Sequence, residues 1–149
     1  MASYECALRT NYFRVKDEET FKELMSRVDS EDCKVWEKEQ NGVKFFSFGG
    51  YASINGVRPK QEAKVESDED DYDDDACNFD SFLDDLMECV AEDDAVLIFE
   101  GGHEKLRYVT GSVYIVTSKE NTCIDLEYAG KTLAKSLLKN PNWETNCCY

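Results

Sequence analysis

The sequence predicts an α+β protein: an antiparallel or mixed sheet with helices packed on one face, in the order β-α-β-β-(acidic loop)-α-β-β-α. Three observations carry that expectation. Two stretches have helical apolar spacing, and each is followed by a pair of strand-like runs. The two halves of the chain match each other at a shift of 62 positions. At 149 residues with 42% hydrophobic side chains, the chain fits a single domain over residues 1–149 that buries roughly 70% of its unfolded surface. Hairpins separated by helices belong to antiparallel or mixed sheets, and helices then cover the apolar face.

The opening run, Glu5 to Val15, alternates well enough to be a strand. A helix follows from an Asp17 cap, with Phe21, Leu24, Met25 and Val28 forming an i, i+3, i+4, i+7 stripe and acids in its first turn. Cys33 to Glu39 and Val43 to Phe48 read as a hairpin about Gln40-Asn41-Gly42, since Asn-Gly supplies the positive backbone angles of a tight turn. A second helix starts near Asn78 and carries Phe79, Phe82, Leu83, Leu86, Met87 and Val90. A second hairpin pairs Ala95 to Glu100 with Leu106 to Thr117 across Gly101-Gly102-His103-Glu104. A last helix from about Asp125 to Lys139 is expected to bury Leu126, Ala129, Leu133 and Leu137, and Asn140-Pro141 ends it.

The internal match pairs Leu24-Met25-x-x-Val28 with Leu86-Met87-x-x-Val90, Asp32 with Asp94, Phe46 with Tyr108 and Gly49 with Gly111, without gaps. It points to two copies of one helix-strand-strand unit. Between them, from about 57 to 77, no periodic pattern appears, and the segment reads as a flexible acidic connection.

Charge is the second organising feature. The net charge is −15, and fifteen of the 32 acids fall within residues 66–94, which hold no Lys or Arg. The rest of the chain balances 17 acids against 17 bases. On the second helix Asp80, Asp84 and Glu88 recur every fourth residue, with Asp85 beside them, about 6 Å per step along the axis. With Asp68, Glu69, Asp70, Asp71, Asp73, Asp74 and Asp75 just upstream, this makes an anionic ladder. A Lys/Arg channel built for a phosphate backbone would attract it. Tyr72, inside the run, is a candidate apolar anchor. The alternative for such a run is a merely solvated loop.

Chemistry is conspicuous by what is missing. His103, the single histidine, has no visible triad around it. The seven cysteines include no C-x-x-C pair, which argues against a zinc site and for a reducing, cytoplasmic home. The run 68–75 lacks the glycine and closing glutamate of a calcium loop. Neither glycine pair opens a helix as a phosphate loop does. No catalytic residue, metal or cofactor is therefore assigned. Direct nucleic-acid binding is disfavoured by the charge, and no apolar run is long enough to span a bilayer.

With its small size, its Asn11-Tyr12-Phe13-Arg14-Val15 segment before an acid-capped helix, and its Asp-rich segment 66–94, the chain resembles the small acidic proteins of phages and mobile elements, among them anti-CRISPR and anti-restriction inhibitors of the DNA-mimic type. The resemblance implies a non-catalytic inhibitor that binds a basic, nucleic-acid-binding enzyme stoichiometrically, such as a CRISPR or restriction nuclease, and blocks its DNA loading. The second expectation is a peptide- or small-ligand-binding module using the sheet aromatics Tyr12, Phe46, Tyr51, Tyr108 and Tyr114, with the acidic loop incidental.

Overall fold

A computed structural model describes residues 4–59 and 78–146. The elements run β1 (Glu5–Thr10), α1 (Glu18–Ser26), β2 (Val28–Asp29), β3 (Lys34–Gln40), β4 (Val43–Gly50), β5 (Gly56–Val57), α2 (Phe79–Cys89), β6 (Val96–Glu104), β7 (Tyr108–Val116), β8 (Asn121–Asp125) and α3 (Leu126–Leu138). Six strands form one antiparallel sheet in the order β3-β4-β1-β6-β7-β8, and β2 pairs with β5 in a separate two-stranded ribbon. The fold is α+β.

The first strand places itself at the centre of the sheet because both of its flanks find partners: Leu8 opposite Gly50 on β4, and Leu8 opposite Glu100 on β6. Past Thr10 the chain continues as a stitch. Asn11 accepts from the Leu97 amide and donates to the Ala95 carbonyl, Phe13 bridges Phe46, and Val15 bridges Val90. The segment Asn11 to Val15 thus ties both halves of the chain together.

The helices α1 and α2 pack on one face. Phe21 of α1 lies on Phe46 with ring centroids 5.1 Å apart, and Phe82 of α2 meets Phe48 edge-on at 5.8 Å. Phe13, Phe21, Phe48, Phe82, Leu86, Val90 and Ile98 are fully buried there. Edge-to-face packing of this kind adds about 0.5–1.5 kcal/mol per pair beyond area burial.

The order α-β-β does recur. Val28 and Val90, equivalent under the 62-residue shift, each leave their helix into a short pairing, Val28 with Val57 and Val90 with Val15. The two hairpins nevertheless enter the sheet differently, since β4, the second strand of its hairpin, and β6, the first of its own, flank β1.

Three expectations are corrected. The second hairpin does not turn at Gly101-Gly102-His103-Glu104: these residues continue β6, and the chain reverses at Lys105-Leu106-Arg107, with Lys105 in the left-handed region at φ 49°. Gly102 serves close approach instead, since a Cβ there would collide with the ring of Tyr4, whose hydroxyl lies 3.0 Å from the Thr110 hydroxyl. The strand β8 lacks an apolar alternation strong enough to announce it. Finally, α3 begins at the expected Asp125 cap but buries no residue. Leu126, Leu133 and Leu137 are 65%, 64% and 83% exposed. Its apolar period fixes which side is oily and says nothing of what meets it. The face over β4, β1 and β6 already belongs to α1 and α2, while α3 leaves the edge strand and sets Leu126 over Gly111 on the opposite side.

Candidate macromolecular interface on the helical face

Each helix is positioned by a cap. Asp17 accepts from the Thr20 amide at 3.1 Å, and Asn78 accepts from the Ser81 amide at 2.8 Å, satisfying amides that the first turn leaves free. The bonds from Thr20 hold the Asp17 carboxyl below its ordinary pKa.

On α1 most charge is neutralised locally. Glu18 accepts from Lys22 at 2.7 Å and from Lys44 at 3.1 Å, and both hold its pKa down. Arg27, with only 13% of its side chain exposed, pairs with Glu23 at 2.6 Å, approaches Asp85 of α2 at 3.8 Å and donates to the Arg58 carbonyl. It clamps the two helices and the β5 end to one another.

The polar side of α2 is different. Phe82, Leu83 and Leu86 are committed to the core, which fixes the helix's rotation and turns Asp80, Asp84 and Glu88 to solvent. Among the described residues none of these three has an ion pair or side-chain hydrogen bond. Asp85, one step round, is half-buried and takes the Arg27 contact. Beyond the helix, Asp93 and Asp94 are structural: Arg14 reaches them at 2.9 Å and 3.6 Å, and Asp94 also accepts from the Arg14 and Ala95 amides. The Arg14 guanidinium holds the Asp93 carboxyl below its ordinary pKa. Of the expected ladder, Asp80, Asp84 and Glu88 therefore form an open row, whereas Asp68, Glu69, Asp70, Asp71, Tyr72, Asp73, Asp74 and Asp75 lie outside the described residues. On α1, Glu19 of the first turn is also exposed, a carboxylate that the sequence reading took only as part of the helix start.

The aromatics of the second expectation do not converge. Phe46 is core, Tyr114 packs on Phe79, Tyr108 stacks on Tyr4, Tyr51 is 82% exposed, and Tyr12 lies beneath Lys38 and near Arg9. Arg9 stacks over Trp36 at 3.8 Å, a contact that the Lys34-x-Trp36-x-Lys38 alternation could have suggested.

No reactive constellation emerges among the described residues. Burial pushes the thiols of Cys33 and Cys89 up to about 11, which keeps them protonated and poorly nucleophilic at neutral pH. His103 stands half-exposed in β6 with Glu5 as its neighbour at 3.6 Å. Among the described residues, no group of three or more His, Cys, Asp or Glu side chains is arranged to hold a metal ion, and no helix is long and apolar enough to cross a membrane. No protein family, curated protein or solved structure matches the chain.

Proposed function

We propose that the protein is a non-catalytic, cytoplasmic inhibitor whose acidic segment 66–94 occupies the basic nucleic-acid-binding site of another protein, with CRISPR and restriction nucleases as the leading class of target. The observation that supports it most is the rotation of α2: with its apolar side locked in the core, Asp80, Asp84 and Glu88 stand as an open row of carboxylates. Spaced about 6 Å apart, they offer a Lys/Arg channel a series of anions akin to a phosphate backbone. Their lack of local cations leaves that charge available to a partner, and the acids 68–75 precede them in the sequence. Such a surface repels nucleic acid itself while competing for its binding sites.

The test is binding of the immobilised protein to purified CRISPR and restriction nucleases, with parallel samples containing duplex DNA or RNA. The expected result is retention that nucleic acid releases and that weakens at least about tenfold between roughly 50 and 200 mM salt. Replacing Asp68, Asp70, Asp71, Asp73, Asp74 and Asp75 by Asn, together with Asp80→Asn, Asp84→Asn and Glu88→Gln, should abolish it while leaving the circular dichroism spectrum unchanged. Retention indifferent to those substitutions and to nucleic acid would remove the proposal.

A further inference from the structure

The sheet face turned away from α1 and α2 carries charge of the opposite sign to the row on α2. On β3, Val35 and Glu37 stand across from the core residues Phe48 and Phe46, so the alternate residues Lys34, Trp36 and Lys38 point to the other side. Arg9 shares that side, because it stands across from Gly49 on β4, and Gly49 in turn stands across from Lys34. Most described cations elsewhere are held by acids, as Arg14, Arg27 and Lys44 are. Arg9, Lys34 and Lys38 have no carboxylate partner among the described residues, although the chain has 32 acids to 17 bases.

Aromatic rings hold these cations in place. The Arg9 guanidinium sits 3.8 Å from the centre of the Trp36 ring, and the Lys38 ammonium 4.4 Å from that of Tyr12. A guanidinium stacked on a ring keeps N–H donors free for a phosphate and loses little further freedom when it binds one. Lys34 and Lys38 lie about 13 Å apart along β3 with Arg9 over the intervening Trp36, so the three form a row in steps of about 7 Å. Open rings flank the row: Tyr51 is 82% exposed, and Phe99, across from Arg9 on β6, is 52% exposed. A cleft of about 370 Å³ opens between Arg9, Lys34, Trp36 and Tyr51, within the size range of small-ligand sites. Asp32, which also lines it, is engaged by the Tyr51 amide at 2.8 Å.

We propose that this face binds an unpaired nucleic-acid strand, its phosphates on Arg9, Lys34 and Lys38 and its bases stacked on Tyr51 and Phe99. Cations in a row beside open rings are what a single strand requires, since every base has a face to stack and every nucleotide a charge to neutralise. A sheet face offers nothing that enters the groove of a duplex, and a polyacidic peptide would answer the cations alone and leave the rings uncovered. The net charge of −15 does not decide the matter locally. Asp80, Asp84 and Glu88 lie beyond the sheet on the helical side, farther away than the screening length of about 8 Å at physiological salt. The proposal stands apart from what the α2 row binds.

Fluorescence anisotropy of a labelled oligothymidylate of about 12 nucleotides, titrated with the full chain, tests it. The strand should bind at about 50 mM salt and weaken about twentyfold by about 200 mM, as three phosphate contacts to a single strand require. Arg9→Gln/Lys34→Gln/Lys38→Gln should weaken binding at least about tenfold and flatten the salt dependence, with an unchanged circular dichroism spectrum. Should that variant fail to fold, Lys34→Gln/Lys38→Gln serves in its place. With Trp143→Phe, Trp36 is the sole tryptophan, and the bound strand should quench its emission. Asp80→Asn/Asp84→Asn/Glu88→Gln should leave strand affinity within about twofold, so this proposal and the one for the α2 row fail separately. No binding up to about 100 μM protein overturns the proposal, as does a charge variant that binds like wild type. A duplex of the same length or polyglutamate that competes as well as the single strand overturns the choice of ligand, and so does thymidine monophosphate bound as tightly as the oligonucleotide.

Discussion

The helices α2 and α3 are alike in sequence terms and opposite in structure. Both have capped N-termini, an apolar stripe and charged flanks, yet Phe82 and Leu86 of α2 are fully buried while Leu133 and Leu137 of α3 are mostly exposed. The difference lies in what precedes each helix. α2 delivers its stripe onto the central strands, where Phe48 and Ile98 wait. α3 leaves the edge strand β8 without a linker and meets only the flank of the sheet. Amphipathicity therefore measures a demand for burial; chain connectivity decides whether the same chain can meet it.

The largest expected effect breaks this comparison directly. Leu86→Ala should cost about 3 kcal/mol or more, from lost transfer energy and the cavity left at a fully buried site. Leu137→Ala should change stability by no more than about 0.5 kcal/mol. Urea denaturation compares the two. A Leu137→Ala cost as large as that of Leu86→Ala would mean that α3 packs on its own sheet in solution, and the contrast would collapse.

The same contrast explains what the sequence made legible. The helix starts at Asp17, Asn78 and Asp125 were readable because a cap is a local device, fixed by one side chain and the amides just beyond it. The Asn41-Gly42 turn was readable for the same reason, with φ of 55° and 78° at its two residues. Gly101 and Gly102 misled because glycine serves a turn and a close approach equally well, and the deciding partner, Tyr4, is about a hundred positions away. The short strand β8 is specified by its pairing with β7 and by little in its own residues. Within the candidate site, the solvent-facing row on α2 followed from helical spacing, but the clamp of Arg27 on Glu23 and Asp85, and that of Arg14 on Asp93 and Asp94, depended on tertiary placement.

A second, smaller contrast concerns how firmly each half of the sheet holds its neighbours. A Cβ at Gly49 would run into the Leu8 carbonyl and the Arg9 Cα, both backbone atoms of the central strand. A Cβ at Gly111 would meet the side chain of Leu126, which is mostly exposed and free to turn aside. Gly49→Ala should therefore cost roughly 2–3 kcal/mol by forcing β4 and β1 apart, while Gly111→Ala should stay within about 1 kcal/mol. Comparable losses at the two positions would show that the α3 side of the sheet is as tightly packed as its centre.

The smallest expected effect separates the charges of the two helices by sign. Below α3, Glu144 accepts from Lys135 at 2.9 Å, and that bond with the attending charge holds its carboxyl below the ordinary value of 4.5. A carboxylate with a depressed folded-state pKa adds stability that is complete above its unfolded value and disappears as pH falls through the folded one. Glu144→Gln should thus lower the urea midpoint slightly at neutral pH, and that difference should fade as pH falls through the carboxyl's depressed folded-state pKa. On α2 the open row has no cation to lose, and its like charges at four-residue spacing repel. Asp80→Asn with Asp84→Asn and Glu88→Gln should therefore raise the neutral-pH midpoint, and salt should shrink the gain. A fall instead would reveal a cation already seated on the row, and the acidic face of α2 would then be engaged within the chain rather than open to a partner.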